Sequence, residues 1–308
     1  MDFDFKKCGN LVYIKKPKFE ELNYVAELWS DIKTMTDVGG VVPFPVEKRK
    51  AWYEKMVNPT DGKNFYCLIY TLDNVPVGEV SFHRFDKVEG KADFNVKVQS
   101  KYRSKGYAKE AIQLLLGYYF FDFGGQVIWD DVINEKGQKA LRNFGFNIVS
   151  NTDSQILFTM TKDRFEEILN DKGLQQEKSC GAVIYRKKDE HTEFLLIESK
   201  DNSYWGFPKG HVEEKESEID TAIREVYEET GLNIEIDDGF SLETEYFISI
   251  DILKKVVYFI GEAEDEPVKI QTEEVEDYKW VQYSDAMDLL TYESSKKLLE
   301  AVKEYLGR

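Results

Sequence analysis

Two domains, each of mixed α/β (α+β) class, are predicted from three observations. The chain has 308 residues, enough for about two domains. Its charge is unevenly placed: residues 1–176 balance 25 Lys+Arg against 25 Asp+Glu, whereas residues 177–308 hold 16 against 33, the whole net charge of −17. Strand-like runs also alternate with runs of helical spacing on both sides of that boundary, the pattern of sheets flanked by helices. At 42% hydrophobic and 14% aromatic the chain can bury real cores, so disorder is excluded as the general state.

The first part opens with a strand, LVYI, and a helix, KFEELNYVAELWSDI, whose apolar residues recur at helical spacing. FYCLIYTL and VPVGEVSFHRF are two strands turned at Asp73-Asn74. KADFNVKVQ is a further strand, and SKYRSKGYAKEAIQLLLGYYFF a loop entering a long amphipathic helix. QVIWDDV reads as a strand, EKGQKALRNF as a helix and FNIVSNTDSQILFTM as a hairpin, before a polar helical stretch that fades into a linker at 166–177. In the second part, SCGAVIYRK and EFLLIES are strands joined at Asp189-Glu190. The loop NSYWGFPKGHV leads into a helix over 216–230 with Gly231 as its C′ residue. TEYFISI, KKVVYFIGEAE and YKWVQ are strands, and amphipathic helices fill 284–306. The expected domains are 1–165 and 178–308.

Composition narrows the function classes. Three widely spaced cysteines, Cys8, Cys67 and Cys180, argue for reduced thiols and a cytoplasmic setting rather than a disulfide framework. Three histidines are too few for a His-rich metal centre. The start, MDFDFKKCGN, has no apolar stretch of signal-peptide length, and the most apolar run, AIQLLLGYYFF, is too short to span a bilayer. No membrane partner is expected. The acidic second part makes a nucleic-acid groove there improbable, and metal ions would have to mediate any contact with a polyanion.

The stretch GHVEEKESEIDTAIREVYEETGL is crowded with carboxylates. Glu225, Glu228 and Glu229 stand at i, i+3 and i+4, so they fall on one patch of a helix, where like charges repel. A solvated face is the ordinary reading of such a run. The wider spacing is specific: G-x5-E-x7-R-E-U-x-E-E-x-G-U, with U aliphatic, is met by Gly210, Glu216, Arg224, Glu225, Val226, Glu228, Glu229, Gly231 and Leu232. This is the Nudix box, and residues 178–308 resemble a Nudix hydrolase with its α/β/α sandwich. Phosphoanhydride hydrolysis requires charge neutralisation and an in-line water, which Mg²⁺ or Mn²⁺ held by carboxylate oxygens supplies. The resemblance implies metal ligation by Glu225, Glu228 and Glu229, with the Gly210 carbonyl as a further ligand. The general base is one of these carboxylates or a glutamate from a distant loop. Glu216 and Arg224 read as an ion pair orienting the loop and helix, and Glu213, Glu214, Glu218 and Asp220 as solvated charge.

The flanks resemble the asymmetrical diadenosine tetraphosphate hydrolases within that family. WGFPKGHVE matches their entry to the box, GFSLETEYFI and KKVVYF their pair of tyrosine-bearing strands, and TEEVEDYKW their S-x-E-H-x-x-Y-R-W segment, with Val275 in place of the histidine. The likeness implies a loop glutamate at Glu274 near the metals. It also implies substrate contacts from Trp205, Lys209, His211, Tyr246 and Tyr258. Aromatic faces suit adenine, and Lys209 and His211 suit phosphate. Core packing is the competing reading for each aromatic residue.

In the first part, Arg103-x-x-Gly106-x-Ala108 lies between a strand and a helix, where successive backbone N–H groups can face an anion. By itself the motif is weak. Its order with the strands before it, the strand QVIWDDV, Asn134 and Gly145-Phe146 resembles the GNAT family of acetyl-CoA-dependent N-acetyltransferases, a mixed sheet with flanking helices, across residues 10–165. The resemblance implies that the loop Arg103, Ser104, Lys105, Gly106, Tyr107 and Ala108 cradles the pyrophosphate of acetyl-CoA. The strand Phe94–Val98, through Val96 and Val98, would pair with the pantetheine arm, and Asn134 would lie near the cofactor's distal end. The tyrosine that many relatives carry four residues before Gly-Phe is Leu141 here. His83 and Asp93 are conceivable bases, with a structural role as the alternative for each.

The expectation is therefore a cytoplasmic enzyme of two activities. One is metal-dependent cleavage of dinucleoside polyphosphates, diadenosine tetraphosphate giving ATP and AMP; the other is acetyl transfer from acetyl-CoA to an amine the sequence does not specify. The alternative is a Nudix hydrolase of 5′-triphosphorylated RNA or small nucleoside polyphosphates, with a non-catalytic first domain that senses acetyl-CoA.

Overall fold

The protein is described here from a computed structural model covering residues 5–58, 60–152, 155–188, 191–200 and 204–307. The chain divides into two units, Met1–Leu174 with Ser249–Asp251, and Gln175–Ile248 with Ile252–Arg308. The turn expected at Asp189-Glu190 lies outside the described residues.

The first unit is built on an eight-stranded sheet in the order β1-β2-β3-β4-β5-β6-β8-β7. Its strands are β1 (Lys6–Cys8), β2 (Val12–Lys15), β3 (Phe65–Thr71), β4 (Pro76–Asp86), β5 (Lys91–Val98), β6 (Val127–Val132), β7 (Asn147–Asn151) and β8 (Ile156–Thr161). The helices are α1 (Leu22–Ser30), α2 (Ile32–Met35), α3 (Val46–Met56), α4 (Tyr107–Gly117), α5 (Glu135–Phe144) and α6 (Lys162–Asp171). Successive side chains of a strand point to opposite faces. Tyr66, Leu68 and Tyr70 of β3 therefore share one face, where they pack with Leu22 and Val25 of α1 and with Trp52 and Met56 of α3. Phe65 and Phe82 stack on the other face at 5.3 Å, and Phe82 meets Tyr119 just beyond α4. Neighbouring strands are antiparallel except β5 and β6, which pair in parallel over three residues, ending at Asp93 and Trp129.

A buried carboxylate ties the start of the chain to α4. Glu110 accepts the N–H groups of Asn10, Leu11 and Val12 at 3.0, 2.7 and 2.7 Å. These donors precede or begin β2, so the carboxylate does the work of a neighbouring strand there.

The second unit is a seven-stranded mixed sheet between helices. It comprises β9 (Gln175–Lys188), β10 (His191–Ser199), β11 (Trp205–Gly206), β12 (Lys209–His211), α7 (Glu218–Thr230), β13 (Ile234–Ser249), β14 (Ile252–Ala263), β15 (Val275–Gln282), α8 (Tyr283–Leu289) and α9 (Glu293–Leu306). Alternation in β9 explains the unbroken apolar run AVIY. Val183 and Tyr185 pack with Ala286, Leu298, Leu299 and Val302 of α8 and α9. Ala182 and Ile184 pack with Val226 of α7. A strand buried on both faces carries apolar residues without interruption, and the result is an α/β/α sandwich.

Several elements differ from expectation for identifiable reasons. The segment expected as a linker, 166–177, holds the end of α6 and the first residues of β9. Helix α3 was not foreseen: between Val46 and Met56 its inward contacts rest mainly on Trp52 and Met56, too sparse an apolar pattern to stand out. Helix α7 begins at Glu218 rather than 216, because the Ser217 hydroxyl caps it by accepting the Asp220 N–H. Strand β13 runs sixteen residues, of which only its last part was anticipated. Among the described residues no helix is long and apolar enough to cross a membrane.

Charge-assisted bonds to backbone donors contribute roughly 1.5–3 kcal/mol each, and orphaned buried donors add to the loss. Glu110→Ala should therefore lower the stability of the first unit by about 3 kcal/mol or more, measured by chemical denaturation. Glu110→Gln should lose less, since one oxygen still accepts.

Candidate functional site

In the second unit the box residues converge on Arg224. Its Nε and Nη2 donate to the two Glu216 oxygens at 2.8 and 2.9 Å. Nη1 donates to Glu225 at 2.7 Å and Glu228 at 3.0 Å, and Nη2 also reaches the His211 carbonyl at 2.9 Å. The ion pair anticipated between Glu216 and Arg224 is thus present, and it clamps the loop after β12 onto α7. Arg224 beside it, with further bonds from Thr221 and the Glu213 N–H, pulls the Glu216 carboxyl down to about 2.

The three helix glutamates do not share one environment. Glu225 and Glu229 lie on the inward face of α7 with Thr221, Ala222 and Val226, at 8% and 7% exposure. Glu228 is on the solvent side and touches the group only through Arg224. Burial raises the Glu225 carboxyl and lifts that of Glu229 to about 8, with Lys209 opposing and the neighbouring charges of Glu225 and Glu274 adding to the rise. The Lys209 N–H donates to Glu229 at 3.0 Å. A Cβ on Gly210 would overlap the Glu225 carboxyl, so only glycine lets the β12 backbone lie this close.

Glu229, Gly210 and Glu274 line a pocket of ≈ 270 Å³ with Lys209, His211 and Lys254. Burial works against the Lys209 ammonium, but the hydroxyls of Tyr258, Tyr204 and Tyr246 and the Glu229 carboxylate hold its pKa above the usual lysine value. His211 Nε2 lies 3.0 Å from Glu177 and 3.4 Å from Lys254 Nζ. Lys254 is only 9% exposed, and burial, with Lys209 nearby, lowers its pKa. It was not singled out in the sequence, yet a signal existed. Lys254, Val256 and Tyr258 alternate onto one face of β14, and the last two are core residues, which makes the lysine an inward-facing charge.

Two aromatic residues expected at the substrate are placed in the core. Trp205, at 6% exposure, and Tyr258 belong to the cluster under α8 and α9, and Tyr258 meets Phe207 edge-on at 6.1 Å. Tyr258 is not in the lining of the pocket, and its influence on Lys209 is electrostatic. Tyr246 packs against the same cluster and is partly buried.

Among the described residues no three His, Cys, Asp or Glu side chains converge closely enough to hold an ion as they stand. Arg224 accounts for this, since it draws Glu225 and Glu228 to itself. The donors nonetheless suit a hard divalent cation. They are carboxylate oxygens, two of them buried at a proton cost, beside a backbone carbonyl segment that only glycine permits.

In the first unit the expected cofactor loop is shaped by two left-handed residues, Ser104 at φ 63° and Gly106 at φ 86°, the latter preceding α4. The first four N–H groups of a helix lack intrahelical acceptors, which leaves the N-terminal donors of α4, at Tyr107 and Ala108, facing outward from the turn. The Arg103 side chain is not part of that cradle. It donates to the carbonyls of Val98 and Thr34 at 3.1 and 3.0 Å and pairs with Asp37. Lys105 lies over the Tyr102 ring. Val96 and Val98 pair with Val80 and Gly78 of β4, while their other edge is open because β5 and β6 have parted. Asn134 caps α5, its side-chain oxygen accepting the Gly137 N–H at 2.6 Å. His83 is half-buried, and desolvation pushes its imidazole down to about 4; it bonds Ser81 at 2.8 Å, and Asp93 pairs with Arg84. Both are engaged within the fold.

The NUDIX domain signature matches residues 176–302, and the acetyltransferase (GNAT) domain signature matches residues 12–147. The asymmetrical bis(5′-nucleosyl)-tetraphosphatase of Mus musculus is 34% identical over 140 residues, 42% of this chain and 95% of that protein. Its Caenorhabditis elegans counterpart is 33% identical over 135 residues, 42% of this chain and 96% of that protein. Among solved structures, a C. elegans Ap4A hydrolase binary complex is similar at 29% identity, covering 42% of this chain and 98% of that one with a TM-score of 0.41. A GNAT-family acetyltransferase from Bacillus anthracis is similar at 21% identity over 52% of this chain and 99% of that one, with a TM-score of 0.43.

A carboxyl raised to about 8 in the folded state costs nothing below its unfolded value near 4.5 and its full penalty above about 8. The metal-free protein should lose stability as pH rises through that window. Glu229→Gln should flatten the slope and melt higher than the parent at pH 9 in EDTA, with no gain at pH 4, as read by thermal melts across pH.

Proposed function

Because the chain belongs to the Nudix family through residues 176–302 and carries a GNAT acetyltransferase domain before them, we propose that its second domain hydrolyses dinucleoside polyphosphates asymmetrically. The observation that carries this reading is the pairing, within one pocket, of Lys209 and Lys254 with Glu229 of α7 and Glu274. Diadenosine tetraphosphate is the substrate we assign, cleaved to ATP and AMP. The named activity of the tetraphosphatases, which align over nearly their full length, supports that choice.

Lys209 and Lys254, which line the pocket with Glu229 and Glu274, bind phosphate oxygens. The Lys209 ammonium donates to the Tyr204 hydroxyl at 3.3 Å, and Lys254 is buried beside His211. Glu225, Glu228 and Glu229, with the Gly210 carbonyl, are the residues that would hold Mg²⁺ or Mn²⁺; the ion supplies charge neutralisation and an activated water when bound. Glu225 and Glu228 must turn from Arg224 to do so, and Glu229 must give up its proton, so cation binding releases protons. Glu229 and Glu274 are the carboxylates lining the pocket, and one of them takes the proton of the attacking water. Arg224 keeps its two bonds to Glu216 throughout and so holds the loop in register with the helix.

For the first domain we assign acetyl transfer from acetyl-CoA to an amine. The N-terminal amides of α4 and the open edge of β5 are the groups that meet the cofactor.

The full chain with Mg²⁺ should convert diadenosine tetraphosphate to equal amounts of ATP and AMP, resolved by ion-exchange chromatography. Glu228→Gln should reduce the rate on the order of a hundredfold. Wild-type turnover by that variant, or two molecules of ADP as product, overturns the assignment. Lys254→Met should raise KM about tenfold or more, the weight of a charged hydrogen bond, with Mn²⁺ affinity unchanged.

A further inference from the structure

One end of the second domain's pocket is assembled across three strands. Glu177 of β9 pairs in register with Lys254 of β14, and Ser179 of β9 pairs with His211 of β12 on one side and Val256 of β14 on the other. Residues paired across strands share a face of the sheet. Glu177, His211 and Lys254 therefore meet on one face although each comes from a different strand. His211 and Lys254 line the pocket, while Glu177, half-buried, stands behind them.

The contacts within this trio exclude one another. His211 Nε2 lies 3.0 Å from a Glu177 carboxylate oxygen and 3.4 Å from Lys254 Nζ. A carboxylate only accepts and an ammonium only donates, whereas a ring nitrogen makes a single bond in its plane, as an N–H donor or as a lone-pair acceptor. Nε2 can thus serve Glu177 or Lys254, not both. The contact to the carboxylate is the shorter of the two and has a charged acceptor, which makes it the stronger.

With the Nε2–H directed at Glu177, Lys254 finds no lone pair on the imidazole. Among the described residues Lys254 makes no ion pair, and the Ser179 hydroxyl, fully buried in the rung beside His211, is itself without a partner. Burial, with Lys209 nearby, works against the Lys254 ammonium, and the charge of Glu177 opposes that loss. A buried ammonium whose nearest neighbour cannot accept from it is left to meet an anion in the pocket.

We propose that Glu177 is a positioning residue for phosphate binding: by holding the His211 Nε2–H it prevents the imidazole from accepting the Lys254 ammonium, and so delivers that ammonium to a phosphate oxygen. This rests on the reading of the pocket as a polyphosphate site. Two effects of one carboxylate stand against each other here. As a charge Glu177 repels phosphate, and as a hydrogen-bond partner it frees Lys254 for phosphate. Glutamine removes the first effect and keeps the second, whereas leucine removes both.

Calorimetry of the full chain with inorganic tripolyphosphate and Mg²⁺ reads binding on its own. Glu177→Gln should bind at least as tightly as the parent, and Glu177→Leu roughly fivefold or more weakly than Glu177→Gln. In a Lys254→Met background the two variants should bind alike. Equal gains in both variants would mean that the carboxylate acts by repulsion alone, and equal affinity in all three that it has no part in the site. Either result overturns the proposal, as does a Gln–Leu difference that persists without Lys254. The unaltered chain supplies a test that needs no Glu177 variant. With ¹⁵N-labelled histidine, of which the chain has three, the ring signals assigned to His211 by their loss in His211→Ala should show a protonated Nε2. An unprotonated Nε2 overturns the proposal. The expected dependence on Glu177 without cleavage of diadenosine tetraphosphate upholds it and overturns the assigned hydrolysis instead.

Discussion

Arg224 is the constraint on which the second domain's site depends. A guanidinium offers five N–H donors in a rigid plane, and here they are spent on Glu216, Glu225, Glu228 and the His211 carbonyl. One side chain thereby fixes the loop that carries Gly210 against the helix that carries the glutamates. It also neutralises carboxylates that would otherwise repel along α7. Lysine, a single point of charge, could not hold both ends at once. The same bonds explain why the glutamates do not converge in the absence of an ion. Their release from Arg224 and the loss of the proton on Glu229 are linked costs that cation binding must offset.

The first domain rests on a different constraint, the parting of two parallel strands. Pairing between β5 and β6 stops at Asp93 and Trp129, which leaves the rest of β5 unpaired with β6 along that edge. Gly78 helps hold the other side of β5 in place: a Cβ there would overlap the Lys97 carbonyl, so β4 approaches this closely only because it has none. The buried Glu79 carboxylate, which takes Lys97 at 2.6 Å, ties β4 to β5 on that face of the sheet.

The legible parts of this chain were those in which spacing is set by chemistry. The box from Gly210 to Leu232, the loop before α4 and the strand pattern of both sheets could be read because each needs given residues at given intervals. The aromatic residues were less readable, since a ring suits a base and a core equally well. Trp205 and Tyr258 went to the core, and Tyr258 acts on Lys209 only through its charge environment. Arg103 looked like part of an anion loop, but its side chain is taken by Asp37, the Thr34 carbonyl of a distant segment and the nearby Val98 carbonyl. Lys254 passed unnoticed because its significance comes from burial. That property does not appear in a local motif, although the inward register of Lys254 on β14 was available.

The central claim is that the carboxylates around Gly210 hold divalent cations together with a polyphosphate. Electron paramagnetic resonance of Mn²⁺, titrated into the full chain with a non-hydrolysable dinucleoside tetraphosphate, reads that claim directly. The account predicts stoichiometric Mn²⁺ binding that is strengthened by the polyphosphate and abolished when Glu225 and Glu228 are both replaced by glutamine. Binding that is absent from the parent protein, or unchanged in the double variant, would contradict it.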